Sequence, residues 1–291
     1  MVGIPAVGVG TDWEDQSMNA VTLRTLPTVT ETDLVPYAQA RAAWDSWRVE
    51  HGYRPGRPLL TAPGENVKLA KGTRAIYGLS LAPARTSGRN VCAASTRQCR
   101  ALCLATAGAG RYDNVTAARI MKTQWLWADP AMFVSLALGE LQRARDRHDG
   151  TIGIRWNVLS DIPWERVAPV LVAPRPRVRA YDYTKLWARD PAATGARYHL
   201  TLSRSESTPD ADVVAACADG RNVAVAFSTT AKAALPRTFL GVRVIDGDRS
   251  DYRPADPSGV IVGLRAKGRA RDRRYLGRFV VDVTADGRVA S

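Results

Sequence analysis

Six short apolar runs follow Gly150, and they restrict the folds open to this chain more than any other feature. They cover 152–159, 178–183, 198–202, 223–227, 239–245 and 260–264. Each is rich in Val, Ile, Leu, Phe or Tyr and is bounded by Gly, Pro, Asp or Ser, as strands are. Helix-like stretches at 162–172 and 211–218 lie between them. Strands that alternate with helices or long connections predict parallel crossover units. The fold class expected is α/β, either a partial (β/α) barrel or an open, mostly parallel sheet. A last strand is expected over 275–283, turned near Gly287.

The first half reads differently. Residues 1–30 carry Gly, Thr, Val and Pro without a sustained period and are expected to form a flexible arm. Thr32-Asp33 opens a helical run through Tyr37, Ala40, Trp44 and Trp47 that stops near Gly52. Residues 31–60 are therefore expected as a helical extension packed on a single α/β domain spanning 61–291. Residues 68–81 read as extended, with a turn at Gly72. Two helices follow. Asp113-Asn114 caps the first, with a stripe of Val115, Ala118, Met121 and Trp125. Asp129-Pro130 starts the second, which ends in Arg143, Arg145 and Arg147, charges that suit a helix C-terminus.

In α/β folds, chemistry gathers where parallel strands end. The ends of these runs supply Asn157 and Asp161, then Asp182, Tyr183 and Lys185, then Asp246 and Asp248, then Lys267. Ser203, Ser205, Ser228 and Thr229 add hydroxyls. These residues are the candidates for a polar pocket on one rim.

Three of the four cysteines fall in Cys92-Ala-Ala-Ser-Thr-Arg-Gln-Cys99-Arg-Ala-Leu-Cys103. Cys99 and Cys103 are four apart and share a helix face. Cys92 precedes them in a loop-like stretch that could fold over that face. The neighbours are polar, so the stretch is not a core stripe. Three soft thiolates converging in this way favour a metal, and the candidates are a [4Fe-4S] cluster or, alternatively, Zn. The competing reading is thiols that only pack. Cys217 lies in an apolar helical context and is expected to pack. His199, inside a strand, is a candidate for a fourth ligand.

The formal charge is +13, mostly from arginine. Such a balance favours polyanions, nucleic acid among them. Arg269, Arg271, Arg273 and Arg274 are the densest run and the candidate phosphate contacts. The plainer explanation is an arginine-rich proteome from a GC-rich genome. No stretch is long and apolar enough to span a membrane, and the start lacks the pattern of a secretory signal. A cytoplasmic location is expected.

Four separated motifs resemble one family. Leu79-Ser-Leu-Ala-Pro-Ala, Asn157-Val-Leu-Ser-Asp161, Tyr181-Asp-Tyr-Thr-Lys185 and Gly263-Leu-Arg-Ala-Lys-Gly268 occur in the order seen in the actinobacteriophage gene product 88 family. The resemblance covers about 65–270 and implies a phage-encoded protein made in the host bacterial cytoplasm. A weaker similarity is to radical S-adenosylmethionine enzymes, which place three cysteines after the first strand of a partial barrel to bind a [4Fe-4S] cluster. The spacing here is wider, and no Gly-Gly-Glu-like motif is present. That similarity implies cluster ligation by Cys92, Cys99 and Cys103. Three functions follow from these readings: an iron–sulfur protein with an iron open to a ligand or to electron transfer, a zinc-stabilised nucleic-acid-binding protein, or a scaffold whose thiols only pack.

Overall fold

Strands apolar on both sides must be covered on both sides, and here they lie in the middle of a parallel sheet. The computed structural model describes residues 26–65, 74–190, 197–229, 233–277, 279–284 and 287–290. Its strands are β1 (Ile76–Gly78), β2 (Ile152–Arg155), β3 (Val178–Thr184), β4 (Tyr198–Ser203), β5 (Val223–Phe227), β6 (Thr238–Phe239), β7 (Val242–Asp246), β8 (Ile261–Arg265) and β9 (Val280–Val281). The order is β1-β2-β3-β4-β5-β8-β7-β6, with β9 also on β5. Every pairing is parallel except β6 with β7. The sheet is open: β1 and β6 are its two edges, so the barrel option is not realised. The first five strands nevertheless follow one another in chain order. Their C-terminal ends therefore share one edge of the sheet.

β4 pairs with only the first residues of β5, at Leu202–Val223 and Ser203–Ala224. Beyond that point β9 takes its place, at Ala226–Val280 and Phe227–Val281. The sheet thus parts between β4 and β5 at its C-terminal edge.

The helices are α1 (Tyr37–Glu50), α2 (Arg97–Ala101), α3 (Asp113–Ala128), α4 (Pro130–Asp146), α5 (Trp164–Val167), α6 (Pro169–Val172) and α7 (Asp210–Ala218). Asp129 caps α4 by accepting the Met132 N–H at 3.1 Å, with Pro130 following it. Ile152, Ile154, Val178, Ala180 and Tyr198 turn one face of the sheet toward α1, α3, α4, α5 and α6. Trp44 of α1 is fully buried there against Trp125 of α3, with ring centroids 4.8 Å apart. Helix α1 is thus part of the main core. A second cluster joins Val213 and Cys217 of α7 to Val223, Val225, Phe227 and Ile261. Cys217 packs there.

Several boundaries differ from the sequence reading. Residues 31–33 form a separate 3-10 turn in which Asp33 accepts the Thr30 N–H at 2.8 Å, and the helix starts only after Pro36. Of the arm expected over 1–30, residues 1–25 lie outside the described residues. Leu26 and Val29 are buried, and the Val29 N–H donates to Val167 O at 2.8 Å. The turn at Gly72 also lies outside them. Pro169 divides 162–172 into two short helices, because it lacks the N–H that a continuing helix needs. The run 239–245 is a hairpin, reversed at Leu240 and Gly241, which both have positive φ. The last strand is only two residues long.

Candidate metal centre

The chain between β1 and α3 lies along the C-terminal edge of the sheet. The loop after β2 fixes its first part: the Asp161 N–H donates to Val91 O at 2.8 Å. Cys92 sits next in line. Its thiol donates to Leu159 O at 3.6 Å and accepts the Ala84 N–H at 3.4 Å. Ala84 holds φ at 49°, a left-handed conformation that an alanine seldom adopts.

Thr96 starts α2 by accepting the Cys99 N–H at 3.1 Å. Glu206, from the loop after β4, clamps the same turn. Its carboxylate accepts from Thr96 Oγ1 at 2.7 Å and from Gln98 N at 2.9 Å. Gln98 Oε1 accepts the Phe279 N–H at 3.0 Å, next to β9. Leu102 packs on Ala266, Ala270 and Val280. The cysteine segment therefore bridges the place where the sheet parts, tied to the ends of β2, β4, β8 and β9.

All three thiols are partly buried. Burial pushes Cys92 up to about 12, the Ala84 N–H opposes it, and Asp161, Cys103 and Cys99 push it further. Burial also raises Cys99, and Lys185 opposes that rise. Each thiol thus lies within electrostatic reach of the other two. Arg119 of α3 lies by Cys103, and its guanidinium donates to Gly110 O at 3.0 Å. Burial thus favours the protonated form at Cys92 and Cys99. Among the described residues no group of three or more His, Cys, Asp or Glu side chains is already gathered as a metal site.

Of the strand-end candidates, Asp161 lies within electrostatic reach of Cys92 and Cys99, and Lys185 of Cys99. Asp161 accepts the Lys185 N–H at 2.7 Å and Arg189 Nη1 at 3.1 Å. Arg189 forks onto Glu165 at 2.9 and 2.7 Å, so a buried Asp161–Arg189–Glu165 network lies under the site. Lys185 Nζ donates to Ser203 Oγ at 2.5 Å and lies 5.3 Å from the centre of the Phe279 ring. Beside it opens a cleft of about 190 Å³, lined by Ala94, Thr96, Lys185, Trp187, Ser205 and Thr208 among others.

The other candidates lie elsewhere. Asn157 and Asp182 are buried beneath the loop: Asp182 accepts from Asn157 N at 2.7 Å, from Asn157 Nδ2 at 3.1 Å and from the Tyr198 hydroxyl. Burial pushes Asp182 up to about 7, with the Tyr198 hydroxyl opposing. Tyr183 points to the opposite face of the sheet, stacked under Arg155 at 4.8 Å. Asp246, Asp248 and Lys267 form a separate ion cluster at the same edge. Lys267 Nζ meets Asp248 at 2.5 Å, and Arg265 meets Asp246 at 2.8 Å. The single rim pocket expected from the sequence is thus divided, and only Asp161 and Lys185 accompany the cysteines. His199 lies half-buried in β4. In the basic run, Arg274 pairs with Asp272 at 2.5 Å and Arg271 donates to Ala266 O at 3.3 Å.

The model of the family described as Gene product 88 matches residues 56–278. The chain belongs to the Gene product 88 family. The four motifs that resemble this phage family lie inside the match, which reaches further at both ends than they do. No curated protein and no solved structure matches the chain. Among the described residues, no helix is long and apolar enough to cross a membrane. Glu206 and Arg119 take part in the site, and no motif singles them out. Thr96 is legible in hindsight as Thr-x-x-Cys, a cap three residues before the cysteine it serves.

Proposed function

We propose that this member of the Gene product 88 family is an iron–sulfur protein. Cys92, Cys99 and Cys103 hold a [4Fe-4S] cluster, and the cleft beside Lys185 admits a small ligand. One observation carries the reading: three partly buried thiols, from the loop and helix that follow the first strand, share one neighbourhood on the strand-end edge of a parallel sheet. The donor set suits the group, since thiolates are its usual ligands. The cluster would supply an iron without a cysteine ligand, able to act as a Lewis acid or to pass an electron.

The chain's own residues do the rest. Binding requires the thiols to lose their protons, and burial resists that at Cys92 and Cys99. The Ala84 N–H, already on Cys92, stabilises a thiolate at that sulfur. Lys185 and Arg119 place positive charge by Cys99 and Cys103. Glu206 holds the first turn of α2, which fixes where Cys99 points. Asp161 joins the loops after β2 and β3 behind the thiols, and such surrounding groups tune potential and solvent access. A phage origin and a location in the host cytoplasm belong to this same proposal.

The test is anaerobic purification and iron–sulfide reconstitution, followed by visible spectroscopy. A brown protein with broad visible absorption is expected. Serine at Cys92, Cys99 or Cys103 should remove most of that absorption, and Cys217→Ser should leave it. A colourless protein that retains zinc through the same three cysteines would replace this reading with a structural zinc site.

A further inference from the structure

Helix α4 ends as β2 begins, so its last turns lie at the other edge of the sheet from the thiols. There the seam between α1, α4 and the chain at 56–62 opens into a cleft of about 140 Å³. Tyr37 and Arg41 line it from α1, Glu140 and Arg143 from α4, Arg147 from the residue that ends α4, and Tyr77 from β1.

The charges there do not cancel. Arg41 is forked on Asp45, at 3.0 and 3.2 Å. Glu140 gives its two oxygens to Leu59 N at 3.0 Å and Leu60 N at 2.8 Å, and lies 3.6 Å from Arg41. Arg143 and Arg147 remain, with no carboxylate partner among the described residues. They stand four apart, Arg143 in the last turn of α4 and Arg147 at its C-cap, where like charges repel.

Arg143 is also held in place. Its guanidinium lies 4.0 Å from the centre of the Tyr37 ring. That ring is pressed against α4 at Gly139, where a Cβ would come within 2.4 Å of Tyr37 Cδ2. A helix dipole accounts for arginines at the end of α4. It does not account for a glycine that lets a tyrosine seat one of them beside a cleft. Guanidinium groups held in a fixed orientation are the preferred receptors for oxyanions. The cleft has the liquid volume of about five waters. That matches a phosphate group with part of its hydration shell.

We propose that this cleft binds a phosphate group between Arg143 and Arg147, either free phosphate or the head of a small phosphomonoester. The test is isothermal titration of the full chain with inorganic phosphate and with glycerol phosphate, at constant ionic strength. Saturable binding at one site is expected. Tighter binding of glycerol phosphate would identify the phosphomonoester as the source, and equal binding would identify free phosphate. The double variant Arg143→Ala/Arg147→Ala should weaken it at least about tenfold, the loss of charge-assisted hydrogen bonds. The control Arg237→Ala/Arg243→Ala removes the same charge from an exposed hairpin and should bind as the wild type does. Gly139→Ala keeps every charge while displacing Tyr37, and should weaken binding as well. Equal losses in the control pair, or no saturable phosphate binding by the wild type, would overturn the assignment. So would a duplex oligonucleotide that binds through these arginines where phosphate does not.

Discussion

Glu206 connects two parts of the chain that are far apart in sequence, and removing it shows what holds the cysteine segment in place. Glu206→Ala deletes the acceptor for Thr96 Oγ1 at 2.7 Å and for Gln98 N at 2.9 Å. Both bonds run to a carboxylate, and bonds to charged groups contribute roughly 1.5–3 kcal/mol each. The side chain is only half-buried, so water recovers part of this. Once that recovery and the mobility of a surface loop are allowed for, about 2 kcal/mol is expected for the pair. Thr96 still accepts the Cys99 N–H at 3.1 Å, so the turn loosens without unfolding the sheet. Hydrogen exchange is the direct assay. The amides of Gln98 and Cys99 should exchange on the order of tenfold faster or more, the kinetic equivalent of at least 1.4 kcal/mol of local stability. Those of β2 and β3 should hold their rates. Glu206→Gln keeps one acceptor oxygen and should recover about half of the effect. Unchanged exchange across 97–103 in the alanine variant would show that Leu102 and Gln98 hold the segment without the clamp.

Other consequences follow from the buried groups and the charge distribution. Arg189→Met leaves Asp161 and Glu165 buried without their cation, and about 3–5 kcal/mol of unfolding free energy should be lost in urea titration. Asp182 stands at about 7 in the folded chain against 3.8 as its ordinary value. The folded state therefore keeps a proton that the unfolded chain has lost. The stability from this group is fully present below about pH 4 and falls as pH rises toward 7. Asp182→Asn should flatten that part of the stability profile, and an unchanged slope would place the dependence on another group. If the basic run tracks phosphates, neutralising Arg269, Arg271, Arg273 and Arg274 should shallow the salt dependence of any nucleic-acid binding. An identical slope would remove this segment from such an interface.

The sequence made the strands legible because burial on both faces demands continuous Val, Ile and Phe, as in Val223–Phe227 and Ile261–Arg265. It also marked one helix cap, Asp129-Pro130, but not Thr96 at the start of α2, and Asp113-Asn114 form the first turn of α3 rather than its cap. What it concealed depends on pairings remote in sequence. Nothing near Glu206 announces Thr96, 110 positions away. Asp182 and Lys185 are three apart, yet only Lys185 passes the strand end to come within electrostatic reach of Cys99. Asp182 stays on the strand face that enters the core. Lys267 ends its strand just as Lys185 does, but Asp248 captures it. The hairpin at Leu240-Gly241 was hidden because a leucine, not an asparagine or glycine, holds the first positive φ.

The central claim is a cluster on Cys92, Cys99 and Cys103. Its most direct test is a chemical count of iron and acid-labile sulfide in the anaerobically reconstituted protein, taken alongside the three serine variants. About four irons and four sulfides per chain are expected for a [4Fe-4S] centre, with most of both lost in each variant. A wild-type chain that takes up no iron while all three thiols stay open to alkylation would contradict it.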